Sequence, residues 1–208
     1  MREATDQTIT VVSGLPRSGT SMMMKMLDAG GMEVVTDNIR QADIDNPKGY
    51  WEYEPVKKIS EDTSWLPATR GRAFKMVSML LMRLPGEYTY RILFMERDLR
   101  EVVVSQRKML ERQGKEPAAP DGRMEAMFAR HLVQVDSWLA GQENMVRLRV
   151  PFAGVLAEPE AWAVRIEAFL GRELDVRAMA RVVDSSLYRN RAANLRQGTD
   201  HGTPVSGT

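Results

Sequence analysis

Gly14-Leu15-Pro16-Arg17-Ser18-Gly19-Thr20-Ser21 is the stretch that decides how this chain is read. An apolar run, Ile9 to Val12, precedes it, and a methionine-rich segment, Met22 to Leu27, follows it and ends at Gly30-Gly31. Strand, glycine-bounded loop and helix form the layout in which backbone N–H groups and a helix N-terminus surround a cluster of anionic oxygens. The spacing fits the phosphate-loop pattern G-x-x-x-x-G-K-[ST] at every required position but one. Where a nucleoside triphosphatase carries lysine this chain has Thr20, and the cation comes three positions earlier as Arg17. Threonine cannot carry the charge that the β- and γ-phosphates need. An arginine inside the loop projects toward the terminal phosphate or the group bonded to it. Its planar, permanently charged fork suits a bridging oxygen that gains negative charge as a bond breaks. The expected chemistry is transfer of a group attached to a 5′-phosphate, with arginine rather than a metal neutralising the leaving oxygen.

A second anion site is expected downstream, in Arg91-Ile92-Leu93-Phe94-Met95-Glu96-Arg97-Asp98-Leu99-Arg100-Glu101-Val102-Val103-Val104-Ser105. Ile92 to Met95 reads as a short buried strand. Asp98 is a helix N-cap with Glu101 as its capping-box partner, and Leu99, Val102, Val103 and Leu110 give that helix an apolar face. Ser105 falls about two turns into the helix, on the side of Glu101 and Lys108. Arg97 leaves the C-terminal edge of the strand, where open α/β sheets bind ligands. The competing reading of each residue is plain: a surface ion pair of Arg97 with Glu101, and a neutral helix-surface serine.

Both segments resemble one family. Pro16-Arg17-Ser18-Gly19-Thr20-Ser21 looks like the 5′-phosphosulfate-binding loop of sulfotransferases, whose donor is 3′-phosphoadenylyl sulfate (PAPS). Arg97 at a strand end, with Ser105 eight residues later, resembles the family's 3′-phosphate motif. The two stand in the right order, about 80 residues apart. The resemblance implies an α/β, three-layer, P-loop-like fold with a central, mostly parallel sheet. It also implies sulfuryl transfer from PAPS to a hydroxyl or amine, with no metal required. Arg17, Ser18, Gly19, Thr20 and Ser21 would then hold the 5′ end, and Arg97 and Ser105 the 3′-phosphate. The alternative is a P-loop nucleotide-binding protein or kinase-like phosphotransferase without sulfotransfer, against which Thr20 counts.

Sulfuryl transfer needs a base on the acceptor. Asn46-Pro47-Lys48-Gly49-Tyr50-Trp51-Glu52 is a Pro/Gly-containing turn that delivers two aromatics and a carboxylate. It resembles the Asn-Pro-x-Gly-[Phe/Tyr]-[Trp/Tyr]-Glu segment of bacterial sulfotransferases, some of which use a glutamate base. Glu52 is the first candidate, Glu54 the adjacent one, and His131 a rival that borders an apolar helix stripe and reads better as a hydrogen-bonded interior histidine. Lys75 lies in the strand-like Ala73-Phe74-Lys75-Met76-Val77, where a charge is out of place unless it reaches the ligand edge. The resemblance assigns it to the sulfuryl group, which makes Arg17, Glu52 and Lys75 the candidate catalytic set.

Composition narrows the remaining classes. The chain has 208 residues, 43% hydrophobic and 27% charged, with a net charge of +1. Such values fit one globular domain, here 1–191, and give no global reason to expect nucleic-acid or membrane binding. No cysteine is present and only His131 and His201 exist, so disulfides and thiolate or histidine metal centres are not expected. Without a signal-peptide core or a long apolar run, a cytoplasmic enzyme acting on a small-molecule or carbohydrate acceptor is the expectation.

Strands are expected near 8–13, 73–77, 91–96 and 145–150, with a further short one from Met32 to Val35 at the sheet's side. Helices are expected near 20–29, 53–60, 98–113, 122–140, 159–170 and 175–183. Strands alternating with helices imply a parallel sheet covered on its faces. Glu158-Pro159-Glu160 through Phe169-Leu170-Gly171 resembles the C-terminal helix of bacterial sulfotransferases. Upstream, Val150-Pro151-Phe152 stands where many members carry tyrosine and acidic residues. Arg189-Asn190-Arg191 occupies the region of the family's C-terminal Arg-Lys-Gly-type loop, without the Gly-x-x-Gly-x-Trp stretch that accompanies it. The resemblance covers roughly residues 8–113 and 144–191. Met22, Met23, Met24 and Met26 are expected at a helix–sheet interface. Met76, Met79 and Met82 are expected in the core, with an apolar acceptor pocket as the other option. Residues 114–122 read as a linker or an acceptor-facing lid, and 192–208 as a flexible tail.

Overall fold

A computed structural model describes residues 7–37 and 51–184. Four strands, β1 (Ile9–Gly14), β2 (Ala73–Val77), β3 (Tyr90–Glu96) and β4 (Met145–Pro151), form an all-parallel sheet in the order β2-β1-β3-β4. Every strand of such a sheet is covered on both faces, so it is built from near-continuous apolar runs rather than alternating ones. The ITVVSG run of β1 is buried along its whole length. Because β1 is flanked by β2 on one side and β3 on the other, the chain changes direction across it. The crevice beyond the C-terminal ends of β1 and β3 is therefore the place where this topology leaves room for a ligand.

The two faces carry two cores. Ile9, Val11, Phe74, Met76, Ile92 and Phe94 pack beneath Val135 and Leu139 of helix α3 (Asp121–Ala140) and against Trp65 and Leu66. Val12, Ala73, Leu93 and Met95 pack on the other face beneath helix α1 (Thr20–Ala29), with Met23, Met24, Met26 and Leu27 all fully buried. Helices α4 (Phe152–Ala157), α5 (Pro159–Leu170) and α6 (Val176–Arg181) complete that side. Burying each such methionine or leucine stabilises the domain by about 1.5–3 kcal/mol relative to leaving it in water. Helix α2 (Leu99–Arg112) begins at Asp98, whose Oδ1 accepts from the backbone N–H groups of Arg100 at 2.9 Å and Glu101 at 3.2 Å.

Most expected elements are found within a residue or two, and the differences have local causes. The segment read as a helix near 53–60 is a 3₁₀ turn, Glu54–Lys58, with Pro55 in its first turn. Five residues carry too little period to separate the two helix types. The 3₁₀ turns Leu66–Thr69 and Ser78–Arg83 and the short helix α4 escape sequence reading for the same reason. The Met32–Val35 strand reduces to one parallel bridge, Val34 to Ala73, on the outer side of β2. Helix α6 starts one residue later than expected because Asp175 is its cap, accepting from the Ala178 N–H at 2.8 Å, and it ends at Arg181 rather than 183. Asn46 to Tyr50, Arg189, Arg191 and the 192–208 tail lie outside the described residues. Among the described residues no helix is long and apolar enough to cross a membrane.

Candidate functional site

The loop between β1 and α1 owes its shape to two glycines. Gly14 has φ +149°, and a Cβ there would lie 2.5 Å from Ser18 Oγ and 2.6 Å from the Met95 carbonyl. Gly19, at φ +102°, is the N-cap of α1, and a Cβ there would meet the Phe152 ring at 2.5 Å. Between them Arg17 holds the left-handed conformation, φ +69°, which a side chain with a Cβ adopts only when its surroundings impose it. Helix α1 has no side-chain cap and no acidic residue in its first turn. Its N-terminal N–H groups and positive dipole end are thus not engaged by a carboxylate of that turn, the condition for anion binding. Ser18 Oγ lies inside the loop, with the residue 1% exposed and no hydrogen-bond partner among the described residues. A buried hydroxyl without a partner is costly in a closed structure, and an anionic oxygen in the loop would remove that cost. These features fit a phosphate or phosphosulfate group at Ser18, Gly19, Thr20 and Ser21.

The second segment meets the first directly. Arg17 Nε donates to Ser105 Oγ at 3.1 Å, across 88 residues of sequence. Arg97 Nη1 donates to the Arg17 carbonyl at 3.0 Å, and Arg97 Nε donates to Glu101 Oε2 at 2.9 Å. The Arg97–Glu101 ion pair is buried, with side chains 9% and 2% exposed, so the surface-pair reading of Arg97 does not apply. Ser105 is likewise buried rather than a helix-surface serine. The Arg97 guanidinium lies 4.6 Å from the centroid of the Phe152 ring. Glu101 and Phe152 are therefore part of this site although sequence reading gave Glu101 only a capping and ion-pair role. A signal for Phe152 was available: an aromatic directly after Pro151, which ends a strand at the ligand edge.

Lys75 and Glu52 meet on the other side of the loop. Although β2 is the sheet's edge strand among the described residues, Lys75 is 11% exposed, with Nζ 3.5 Å from Ser21 Oγ and 3.7 Å from Glu52 Oε1. Glu52 Oε2 is also 3.3 Å from Lys57 Nζ, and its backbone carbonyl accepts from Thr36 Oγ1 at 3.0 Å and the Asp37 N–H at 3.1 Å. Trp51, just before it, has φ +53° and a buried indole N–H without a partner among the described residues. Glu54 is paired with Lys57. Arg17, Ser21, Glu52, Lys75, Arg97 and Ser105 are thus linked, by contacts of the loop with Ser105 and Arg97 and of Ser21 with Lys75, into one locality at the C-terminal edge of the sheet.

His131 comes to the C-terminal edge of the sheet from the other face, against the residue that follows β2. It sits on α3, which covers the sheet face opposite α1, and its Nε2 is 2.9 Å from the Oγ of fully buried Ser78. Burial lowers its pKa from the ordinary histidine value. It is hydrogen-bonded, as the sequence favoured, but half-buried rather than interior. Of Met76, Met79 and Met82, expected in the core, only Met76 is buried; Met79 and Met82 are each 40% exposed beyond the end of β2, with Val77 beside them at 38%. Among the described residues there is no group of three or more His, Cys, Asp or Glu that could hold a metal ion.

No protein-family model and no curated protein sequence matches this chain. Solved structures do. Mouse sulfotransferase SULT7A1 complexed with PAP is 18% identical, with a TM-score of 0.50 over 90% of this chain and 67% of that one. Sulfotransferase STF9 from Mycobacterium avium is 12% identical, with a TM-score of 0.50 over 90% of this chain and 69% of that one. The chain has the fold of the sulfotransferases, an α/β fold with a parallel central sheet.

Proposed function

We propose that this protein is a PAPS-dependent sulfotransferase acting on a hydroxyl or amine of a small-molecule or carbohydrate acceptor. The observation that carries the reading is the pair of contacts from Arg17 to Ser105 and from Arg97 to the Arg17 carbonyl. They join a 5′-type phosphate loop to a second cationic pocket at the distance of two interleaved side chains. A nucleotide phosphorylated at both ends is the ligand chemistry that needs both. A simple triphosphate has no group for the second pocket.

PAPS, when bound, supplies an activated sulfuryl group on its 5′-phosphate. The chain's own residues do the rest. The loop N–H groups, Ser18 and Ser21 hold and orient the 5′ end, while Arg97 and Ser105 hold the 3′-phosphate. Arg17, at the loop's turn, and Lys75, beside Ser21, place two permanent or near-permanent cations where negative charge gathers on transfer. Glu52 accepts the acceptor's proton, with Lys57 and Lys75 flanking and orienting its carboxylate. This work is positioning and charge neutralisation, which a preformed, largely buried site does well.

Calorimetry with adenosine 3′,5′-bisphosphate, adenosine 5′-phosphate and ATP tests the reading. The bisphosphate is expected to bind at least about tenfold more tightly than the 5′-monophosphate, as one charge-assisted hydrogen-bonded group contributes. Arg97→Ala is expected to erase the difference. Equal affinities in the unmodified protein would refute the donor assignment.

A further inference from the structure

Phe152 touches both halves of the site, and the ordinary account of a buried aromatic does not cover its position. It is the first residue of α4, immediately after β4 ends at Pro151. One contact is with the phosphate loop: the space that a Cβ on Gly19 would take is already occupied by Phe152 Cδ2 at 2.5 Å and Cε2 at 2.9 Å. The other is with the second pocket, where the face of the ring meets the Arg97 guanidinium at 4.6 Å. Arg97 in turn donates to the Arg17 carbonyl inside the loop. One ring thus sets the spacing between the N-cap of α1 and the cation of the other site, while being only 8% exposed itself.

We propose that Phe152 is a positioning residue for donor recognition: its ring is the platform on which Arg97 is held in register with the phosphate loop, and it thereby sets the preference for a 3′-phosphorylated nucleotide. The proposal rests on the donor reading above and adds to it. A guanidinium has a long flexible stem and fixes an anion only when its plane is held. Here Glu101 holds one edge through Nε, the Arg17 carbonyl holds Nη1, and the aromatic face supports the plane. These two hydrogen bonds fix the guanidinium at two of its nitrogens, and the ring supports its plane from one face through cation–π attraction. The absence of a Cβ at Gly19 is what lets the ring come so close.

The experiment compares affinities for adenosine 3′,5′-bisphosphate and adenosine 5′-phosphate, by calorimetry, in the unmodified protein, Phe152→Leu, Phe152→Tyr and Arg97→Ala. Thermal melts accompany each variant. Phe152→Leu keeps an apolar filling but removes the π face, and is expected to cut the preference for the bisphosphate over the monophosphate by about tenfold. Phe152→Tyr keeps the ring and is expected to retain the preference. If Phe152→Leu does not fold, Phe152→Met serves in its place, because an unbranched thioether fills the same space without a π face. Retention of the full preference by the folded Leu or Met variant, in a protein whose preference Arg97→Ala abolishes, overturns the role of Phe152 and leaves the donor reading intact. No preference in the unmodified protein overturns both. Loss of the preference in Phe152→Tyr as well as Phe152→Leu also overturns the proposal, since a platform that needs only the ring tolerates the hydroxyl.

Discussion

Single side chains set the chemistry here, and the buried Arg97–Glu101 pair is the sharpest case. With side chains only 9% and 2% exposed, neither charge is well solvated without the other. Removing one charge from such a pair costs about 3 kcal/mol, more than the pair contributes over an apolar replacement. Glu101→Gln is therefore expected to lower unfolding free energy by about 3 kcal/mol in urea titrations made without nucleotide. His131 gives a prediction with a pH sign. Burial lowers its pKa in the folded protein, so the folded state resists protonation more than the unfolded chain does. Stability is full above the unfolded value and falls as pH drops through it toward the folded value. The urea midpoint is expected to fall between about pH 7.5 and about pH 5.5, and to fall less in His131→Gln. At this scale the sequence was informative about residue types with few other uses: an arginine inside a glycine loop, a lysine inside a strand. It was uninformative about partnerships made through space, such as Arg17 with Ser105. Glu101 also looked like any capping-box glutamate until its burial was known.

Elements carry those side chains, and their ends matter more than their middles. Asp98 caps α2 through two backbone N–H groups, and the same turn presents Arg97 just before the helix and Glu101 within it. Asp98→Ala is expected to cost about 1 kcal/mol of stability. It is also expected to weaken binding of the bisphosphate more than of the monophosphate, because fraying the first turn loosens the Arg97–Glu101 geometry. Parallel chemical denaturation and calorimetry separate the two effects. Gly19→Ala acts on the other element. It forces a Cβ into a φ of +102° and into the Phe152 ring, so loss of all nucleotide binding is expected in the same calorimetric assay. Element positions were legible wherever a period ran long enough. Residues Met22 to Leu27 and Phe128 to Leu139 repeat with helical spacing, and Ile92 to Met95 is an unbroken apolar run between charged neighbours. The 3₁₀ turns Leu66–Thr69 and Ser78–Arg83 and α4 were not legible, and Glu54–Lys58 was legible as a helix but not by type, since four to six residues hold barely one turn of any helix.

At the scale of the whole molecule, the alternation of strand and helix already implied a covered parallel sheet, and the phosphate loop placed the site at its C-terminal edge. Strand order was not legible, because the hydrophobic run of β1 reads alike whether it is central or peripheral. Its central place matters thermodynamically. The loop leaves β1, and the second pocket leaves β3, its hydrogen-bonded neighbour; between them they are tied to α1, α2 and α4. A ligand that grips both pockets binds only when all of these are assembled, so it stabilises the cooperative unit rather than one loop. At a concentration of about 100 times its dissociation constant such a ligand adds about 2.7 kcal/mol. For a domain of this size each kcal/mol shifts the melting temperature by about 2–4 °C. Saturating adenosine 3′,5′-bisphosphate is thus expected to raise the melting temperature by about 5–10 °C. Adenosine 5′-phosphate at the same concentration should give a markedly smaller rise, having no group for the pocket on α2. On the proposed reading magnesium should add nothing to either, since Arg17 and Lys75 would supply the cations that a metal supplies in a triphosphatase loop. A rise seen with both nucleotides alike, or one that requires magnesium, would point away from two coupled pockets and toward a single conventional phosphate loop.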